Sequence, residues 1–145
     1  MTPIRATVVL MALCGAAAHA QMTPVGRWQT FEEKTGAPKS IVAIADRNGA
    51  MLGKIEKVLR KDADPNAKCT ECTDERKDQP IVGLEVLRGA RKVEGQDVWD
   101  GGQVLDPENG KTYKLKLTPI EGGKKLEVRG SIAFLGRTQT WTRLP

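Results

Sequence analysis

Histidine is almost absent from this sequence, whose 145 residues contain one, His19, close to the amino terminus. Without a second histidine, the rest of the chain cannot build a Ser-His-Asp or Cys-His arrangement, and it lacks the common proton shuttle of neutral pH. Carboxylate pairs remain, such as Asp97 with Asp100 and Asp106 with Glu108. Both pairs fall in turns or at strand ends, where aspartate is ordinary. We therefore expect no catalytic residues and no enzyme activity.

Long apolar runs are also missing. The apolar segment 6–18 is shorter than the ~20 residues of a membrane-spanning helix, so we expect no membrane span. It follows Arg5 and is followed by the small-x-small cleavage signal at 18–20, an arrangement typical of a secretory signal peptide. We predict that residues 1–20 are cleaved on export and that residues 21–145 form one mature domain. This domain is expected to be periplasmic or secreted.

Cysteine is scarce, with three residues in the chain. Cys14 lies in the predicted signal peptide after a bulky residue, which argues against a lipoprotein site. Cys69 and Cys72 alone cannot supply the four ligands of a structural zinc site, so we expect no metal. A redox pair would need neighbours that favour the thiolate, whereas Glu71 and Asp74 oppose it. A structural disulfide is the favoured interpretation, because export places both thiols in an oxidising compartment.

Aromatic residues make up 4% of the chain, and no dense basic stripe with interleaved aromatics occurs. Loss of Arg5 with the signal peptide lowers the formal net charge from +5 to about +4. Lysine and arginine are interleaved with aspartate and glutamate throughout, which is the pattern of a solvated mixed surface. These features exclude nucleic acid as the expected partner.

What the sequence does contain is alternation. In the segment 136–144 the even positions carry three threonines and the odd positions carry larger side chains, Trp141 among them, which is the period of a β-strand. We expect this strand to close a sheet by pairing with residues 26–31. Other short β-prone segments follow each other at intervals of roughly ten to fifteen residues. They are 40–45, 50–59, 97–105, 113–118 and 126–132, with 81–87 open between a helix turn and a strand.

These segments predict an all-β fold, a single antiparallel β-barrel of about eight strands. Asn48-Gly49 suits a tight hairpin between the second and third strands. A sandwich would satisfy the strand spacing too, but glycines inside strands suit a tightly curved sheet that must bend. These glycines are Gly53, Gly101, Gly102 and Gly130. Residues 60–80 lack the alternation and predict a long loop around the two cysteines.

A set of short motifs covers essentially the whole mature chain. They are Gly26-x-Trp28-x-Thr30, Gly53-Lys54-Ile55, Cys69-x-x-Cys72, Gly83-Leu84, Trp99-x-Gly101-Gly102, Leu105-Asp106-Pro107, Gly110-Lys111-x-Tyr113, Leu126-x-Val128-Arg129-Gly130 and the segment 136–143. Together they resemble the exported bacterial family of unknown function called DUF2147. The resemblance implies a lipocalin-like, calycin-type β-barrel in the cell envelope, with no assigned activity.

The resemblance also implies a particular pair of residues at one end of the barrel. Calycins place a Gly-x-Trp on the first strand, and an arginine from near the C-terminus packs over the indole. In this sequence those positions correspond to Gly26 and Trp28, with either Arg137 or Arg143 as the arginine. Such a cation over a tryptophan is worth roughly 0.5 to 2 kcal/mol and more often plugs a barrel than binds a ligand.

Binding of one small apolar or amphiphilic ligand, without a cofactor, is the leading functional hypothesis, because a closed barrel of about eight strands can hold one. The candidate ligand-binding residues are Trp28, Trp99, Tyr113, Arg129, Arg137 and Trp141, with the aromatic rings as walls and the arginines as anion partners. The alternative is a module that interacts with an envelope protein, or supports the envelope, through the Cys69–Cys72 loop and exposed strand surfaces. A cavity of a few hundred Å³ would favour the first hypothesis, and a filled interior the second.

Overall fold

The computed structural model describes residue 3 and residues 22–145, and residues 26–143 form one closed β-barrel. The predicted signal peptide, residues 1–20, lies outside the described residues except for residue 3. The strands in chain order are β1 (Gly26–Phe31), β2 (Pro38–Arg47), β3 (Ala50–Val58), β4 (Glu85–Lys92), β5 (Trp99–Asp106), β6 (Lys111–Ile120), β7 (Lys125–Ile132) and β8 (Leu135–Arg143). A short 3-10 turn, Glu121–Gly123, joins β6 to β7.

All neighbouring strands are antiparallel, and each pairs with the next in the sequence. The barrel closes where β8 returns to β1, with Trp28 opposite Arg143 and Gln29 opposite Thr142. The predicted all-β barrel and its predicted closing pair of strands are therefore confirmed. Asn48-Gly49 forms the expected tight connection between β2 and β3, with φ angles of 55° and 85°.

The barrel forms because most strands carry apolar residues at every second position. On β6, Leu115 and Leu117 are buried while Lys114 and Lys116 are exposed, and β7 follows the same pattern. Burial of one such leucine side chain is worth about 1.5–3 kcal/mol, so each correctly registered strand contributes several favourable terms to one shared core. Trp28 from β1 lies within this core and is fully buried.

Two of the glycines inside strands stand where neighbouring strands approach closely. A Cβ at Gly102 would lie 2.6 Å from the backbone nitrogen of Ala90, and a Cβ at Gly53 would lie 2.9 Å from the side chain of Leu87. The pairing of β5 with β6 also shifts register between Trp99 and Gly102, which is the bulge that the glycine pair predicts. Larger residues at these positions would push β4 away from its neighbours.

The connections gather at two ends of the barrel. We call one the closed end, formed by residues 22–25, 48–49, 93–98 and 121–124. We call the other the open end, formed by residues 32–37, 59–84, 107–110 and 133–134. The two ends differ in their packing, and the difference decides where a ligand could enter.

The predicted long loop lies at the open end. Residues 59–84 contain one isolated β-bridge, between Lys68 and Pro80, and otherwise no strand. Cys69 and Cys72 form the predicted disulfide, with their Cα atoms 5.4 Å apart. The ambiguous run 81–87 divides, because residues 81–84 finish the loop and Glu85 begins β4.

Candidate ligand-binding site

A cavity of about 810 Å³ occupies the half of the barrel nearest the open end. Its lining comes from all eight strands and from connections of the open end. The aliphatic residues of the lining include Val42, Ile55, Val86, Val104, Leu105 and Val128. Charged residues of the open end surround its mouth, among them Glu33, Lys39 and Arg137. The predicted barrel therefore has a ligand-sized hollow, and the criterion set by the sequence favours binding over a filled scaffold.

One position of the cavity wall carries no side chain. Gly130 of β7 faces the cavity, and a Cβ there would make ordinary van der Waals contact with Val104 at 3.4 Å and Tyr113 at 3.5 Å. Towards the closed end the corresponding positions carry Trp28 and Leu126, which are fully buried. These large side chains fill the half of the barrel at the closed end.

Two hydroxyl groups face the cavity from β1 and β2. Thr30 and Ser40 are 4% and 8% exposed, and their hydroxyl oxygens lie 2.7 Å apart in a hydrogen bond. Because one hydroxyl donates to the other, the pair keeps one O–H that can still donate to a third group. This arrangement provides a polar anchor in the cavity wall.

A chain of hydrogen bonds joins the barrel wall to the β1–β2 loop at the mouth. Trp141 donates from Nε1 to Oε1 of Gln139 at 3.1 Å, and Gln139 donates from Nε2 to Oε1 of Glu33 at 2.9 Å. Arg137 donates from Nη1 to the other oxygen of Glu33 at 2.8 Å. Glu33 therefore has both carboxylate oxygens bonded to β8, which holds its loop against one side of the entrance.

A second set of charges ties together the other loops of the open end. Arg60, from the long loop, hydrogen-bonds to Glu32 of the β1–β2 loop and to Glu108 of the β5–β6 connection. The hydrogen bond from Arg60 holds the pKa of Glu108 below its usual range, against the opposing effect of its partial burial. Lys39 lies 3.8 Å from the same carboxylate. These contacts fix the outline of the mouth.

The disulfide supports this outline from outside the barrel. Cys69 and Cys72 are both buried, and Sγ of Cys69 lies 3.9 Å from the backbone oxygen of Pro107. A Cβ at Gly110 would collide with the backbone oxygen of Glu71, so the disulfide loop packs directly on the β5–β6 connection. Pro107 in turn lines the cavity. The buried position of the sulfur atoms suits a structural bond.

The closed end is sealed by Trp28 and Arg143. The guanidinium carbon of Arg143 lies 4.3 Å from the Trp28 ring centroid, and Trp28 donates from Nε1 to the backbone oxygen of Pro24 at 2.8 Å. Arg143 also donates to the backbone oxygens of Val25 at 2.7 Å and of Gly123 at 2.6 Å. Burial lowers the pKa of Arg143. The plug joins the N-terminal segment, the β6–β7 turn and the last strand.

The structure thereby distinguishes the two arginines that the sequence left open. Arg143 packs over Trp28, and a Cβ at Gly26 would collide with its guanidinium, so glycine is needed at that position. Arg137 lies at the opposite end, paired with Glu33. Its inclusion in the plug is therefore corrected, because six residues of an extended strand separate the two positions by about 20 Å.

Three of the six candidate ligand-binding residues line the cavity and three do not. Tyr113, Arg137 and Trp141 contribute to its wall or mouth. Trp28 is part of the plug, and Trp99 is buried near the closed end, where Nζ of Lys92 lies 5.8 Å from its ring centroid. Arg129 stands on the outer surface of β7 and donates to Oγ1 of Thr138 at 3.3 Å.

Alternation along a strand shows which side chains face the barrel interior. It does not show how far along the barrel axis each side chain lies, and three candidate residues were misplaced for lack of one or the other kind of information. Trp99 faces inwards and yet lies below the cavity, while Arg129 alternates with inward-facing Val128 and Gly130 and therefore points outwards. Thr30 and Ser40 line the cavity but were not among the residues predicted from the sequence. Ser40 alternates with the apolar Val42 and Ile44, and this placement of a hydroxyl on an inward face was the available signal.

Among residues 22–145 the structure shows no group of three or more cysteine, aspartate, glutamate or histidine side chains placed to hold a metal ion. No helix in the described part of the chain has the length and apolar character needed to cross a bilayer.

Comparison with known proteins places this geometry in a wider group. The sequence profile of a family described as "Uncharacterized protein conserved in bacteria (DUF2147)" matches residues 26–143. A search of curated proteins gives no match. A solved structure, protein HP1028 from the human pathogen Helicobacter pylori, described as belonging to the lipocalin family, is similar with a TM-score of 0.71. The alignment has 24% identity and covers 83% of this chain and 82% of that one, so the likeness concerns the fold.

Proposed function

The chain belongs to the DUF2147 family of uncharacterised bacterial proteins, and because its lipocalin-like barrel contains an open cavity, we propose that it is a non-enzymatic module that binds one small apolar or amphiphilic ligand in the cell envelope. The observation that carries the proposal is the cavity itself. Its volume of about 810 Å³ lies in the range of small-molecule sites, and its lining combines aliphatic and aromatic side chains with polar and charged ones. The apolar part of this lining binds by removing apolar ligand surface from water.

The distribution of polar groups favours an amphiphile. The valine and leucine side chains surround the interior, whereas the charged groups, including Lys39, Lys111 and Arg137, stand at the mouth. A ligand with an apolar body and a polar end can place each part against matching chemistry in one orientation. The Thr30–Ser40 pair adds a single hydrogen-bond donor inside, suited to an oxygen atom within the ligand body.

A binding role without catalysis is supported by what the polar groups do. The carboxylate of Asp106 accepts a hydrogen bond from the backbone nitrogen of Glu108 at 2.9 Å, and Asp100 accepts one from Gly101 at 2.8 Å. Both carboxylates therefore stabilise local turns. A location in the envelope is supported by the signal-like segment 1–20 and by a disulfide, which persists in oxidising compartments.

The alternative of an interaction module acting through the disulfide loop has weaker support. That loop packs its cysteines and the side chain of Arg76 against the barrel, and Arg76 donates to the backbone oxygen of Glu85 at 2.8 Å. The disulfide and Arg76 are thus engaged within the molecule. The cavity, in contrast, leaves apolar wall surface without a protein partner.

Native mass spectrometry of the protein isolated from the bacterial envelope tests the proposal. We expect one adduct of a few hundred daltons on the folded protein, absent from the same sample after denaturation, and recoverable by organic extraction. The extract should restore the adduct when it is added to stripped protein. A folded protein that carries only its chain mass after gentle isolation, and that takes up nothing from a total envelope extract, would contradict a ligand-binding role.

A further inference from the structure

The β7–β8 hairpin ends in an exposed apolar tip, which we define as residues 132–135. Ile132, Phe134 and Leu135 are 51%, 90% and 68% exposed, although apolar side chains elsewhere in the barrel are mostly buried. Ile132 pairs with Leu135, so two residues, Ala133 and Phe134, make the connection. The tip displays three large apolar side chains to solvent at the open end.

The backbone of this tip is not the one that its residues prefer. Ala133 has a φ angle of 52°, in a region that glycine and asparagine adopt far more readily than other residues. The β2–β3 connection is also a two-residue hairpin with positive φ angles, but there the residues are Asn48 and Gly49, which adopt such angles readily. The β7–β8 hairpin thus carries apolar residues at a place where stability and solubility favour polar ones.

The tip stands beside the cavity mouth, since Ile132 and Leu135 both contribute to its lining. A surface that covers the tip would therefore also face the entrance. This placement connects the exposed apolar side chains to the path by which a ligand would enter or leave.

Basic side chains lead up to the tip along the outer surface of β6 and β7. Lys114 pairs with Ser131 next to the tip, whereas Lys111 pairs with Asp106 and belongs to the cavity mouth. Lys116 stands directly opposite Arg129, an unfavourable pairing of like charges in water. The guanidinium of Arg129 reaches over Gly136, where a Cβ would collide with it, and so extends towards the tip.

The three outward-facing basic residues form no ion pair with the described part of the chain. Within residues 22–145, Lys114, Lys116 and Arg129 take part in no salt bridge. The outer surface beside the tip therefore carries an excess of positive charge, with Glu127 as the acidic residue on the same face of β7. It would attract a surface of high negative charge density.

We propose that the tip docks on an anionic phospholipid bilayer, with Phe134 and Leu135 in the boundary between headgroups and acyl chains and with Lys114, Lys116 and Arg129 against lipid phosphates. Apolar side chains beside unpaired lysine and arginine are the features by which peripheral proteins bind such interfaces. Three apolar residues are too few for the roughly 1,200 Å² of a stable protein interface, which disfavours a second copy of the chain. Docking would bring the cavity mouth to the bilayer and let an amphiphile pass between them.

A Phe134→Trp variant of the mature chain provides a direct reporter, because Trp28, Trp99 and Trp141 are buried. Its emission should shift to the blue when vesicles of phosphatidylcholine with phosphatidylglycerol are added, and lipids brominated near the headgroup should quench it. Vesicles of phosphatidylcholine alone should give a much weaker shift. The response should decline as salt concentration rises, since the attraction is screened.

Matched variants separate the apolar and the charged contributions in vesicle sedimentation. Phe134→Ser with Leu135→Ser should weaken binding at least tenfold. Lys114→Gln with Arg129→Gln should weaken binding to anionic vesicles by about fivefold for each charge removed. The controls are Lys54→Gln with Lys124→Gln, which remove two exposed charges elsewhere, and Val82→Ser, which removes an exposed apolar side chain of the long loop; all should bind as the parent does.

The proposal is overturned if the Phe134→Trp emission is unchanged by anionic vesicles while the protein remains folded by circular dichroism. It is also overturned if the tip variants bind vesicles as tightly as the parent. Sedimentation velocity addresses the competing occupants. If the parent is a dimer and Phe134→Ser is a monomer, the tip is a site of protein recognition instead. The same conclusion follows if the protein forms a complex with an envelope protein that requires the tip and no lipid.

Discussion

Arg143 packs its guanidinium over the ring of Trp28, 4.3 Å from the ring centroid, and in doing so joins the last strand of the barrel to the first. The pair stands at the closed end, away from the cavity. Its interaction is therefore a matter of stability, and stability experiments can address it without affecting the ligand site.

Replacement of the tryptophan should be strongly destabilising. Trp28→Ala removes a fully buried side chain, and such truncations typically cost about 3–5 kcal/mol, a large part of the total stability of a domain this size. We expect a sharply lower midpoint in urea denaturation. Phe134→Ala, which truncates an exposed aromatic residue, is the control and should leave the midpoint nearly unchanged. Equal midpoints for Trp28→Ala and the parent would contradict the plug.

Arg143 should resist even a conservative exchange. Its guanidinium donates to the backbone oxygens of Thr23, Val25 and Gly123, at 2.6, 2.7 and 2.6 Å. A lysine ammonium cannot reach three such acceptors in one plane, so Arg143→Lys should leave partly buried oxygens without this donor and cost about 1–3 kcal/mol. Arg27→Lys, at an exposed ion pair, should cost less than about 1 kcal/mol. A parent-like midpoint for Arg143→Lys would mean that charge alone suffices.

Filling the cavity should abolish ligand binding while the barrel stays folded. Gly130 lines the cavity and has no positive φ angle, and a Cβ there would make ordinary van der Waals contact with Val104 and Tyr113, so Gly130→Phe would place an aromatic ring in the hollow. We expect at least a tenfold weaker affinity for an environment-sensitive amphiphilic fluorophore, with a near-parent urea midpoint. Thr140→Phe, on the outer face of β8, adds the same ring outside and should bind as the parent does. Unchanged binding by Gly130→Phe would place the ligand elsewhere.

The hydroxyl pair in the cavity should show coupling between its members. Thr30→Val removes the partner of a buried hydroxyl, which costs about 1–3 kcal/mol, and Ser40→Ala does the same from the other side. The double variant leaves no orphaned hydroxyl and should cost less than the sum of the single changes. A double-mutant cycle in urea measures this difference. Additive effects would show that each hydroxyl has its own partner.

Low pH should remove the contribution that the Asp74–Arg76 ion pair of the long loop makes to the free energy of unfolding. Hydrogen bonds from the Arg76 side chain lower the pKa of Asp74 from 3.8 to about 2. A carboxyl group with a lowered folded pKa contributes stability above the unfolded pKa, and this contribution is lost as the pH falls through the folded pKa. Asp74→Asn should therefore destabilise by on the order of 1 kcal/mol at pH 7, a small value because the side chain is 37% exposed and solvent screens it.

The difference between Asp74→Asn and the parent should shrink as the pH falls from about 4 to about 2. Urea midpoints at pH 7 and pH 3 measure this change. Asp62→Asn, an exposed carboxylate of the same loop that takes part in no salt bridge among the described residues, is the control and should have little effect at either pH. A constant difference across this range would show that Asp74 acts through packing.

Most of the strand architecture could be predicted from the sequence because a barrel strand repeats a simple rule. The alternation in Leu115, Leu117, Leu126 and Val128 fixes an inner and an outer face without knowledge of the rest of the molecule. Tight turns such as Asn48-Gly49 fix the register of their own strands. Local signals of this kind were sufficient for the fold and for the closing pair.

The site was less predictable because it depends on distances between elements far apart in the sequence. The level of Trp99 below the cavity follows from the stagger of the strands, which no local pattern states. The choice between Arg137 and Arg143 depends on which of the two stands at the level of Trp28, and the register of Trp28 with Arg143 decides it. Glu33 accepts hydrogen bonds from Arg137 and Gln139, which lie 104 and 106 positions later in the sequence. No local sequence pattern predicts such a contact.

The short junction between β1 and β8 has a consequence for how the barrel forms and opens. The strands of every other pair are neighbours in the sequence and can begin to pair next to the segment that connects them. In contrast, Trp28 and Arg143 are separated by more than a hundred residues, so β1 and β8 can pair only after the intervening strands have formed. Ring closure should therefore be the late, slow step of folding, as expected for non-local pairing. In native-state hydrogen exchange, the amides of Gln29 and Thr142 should exchange through openings of lower free energy than the amides of β6 and β7. The barrel would then open between β1 and β8 before it unfolds globally.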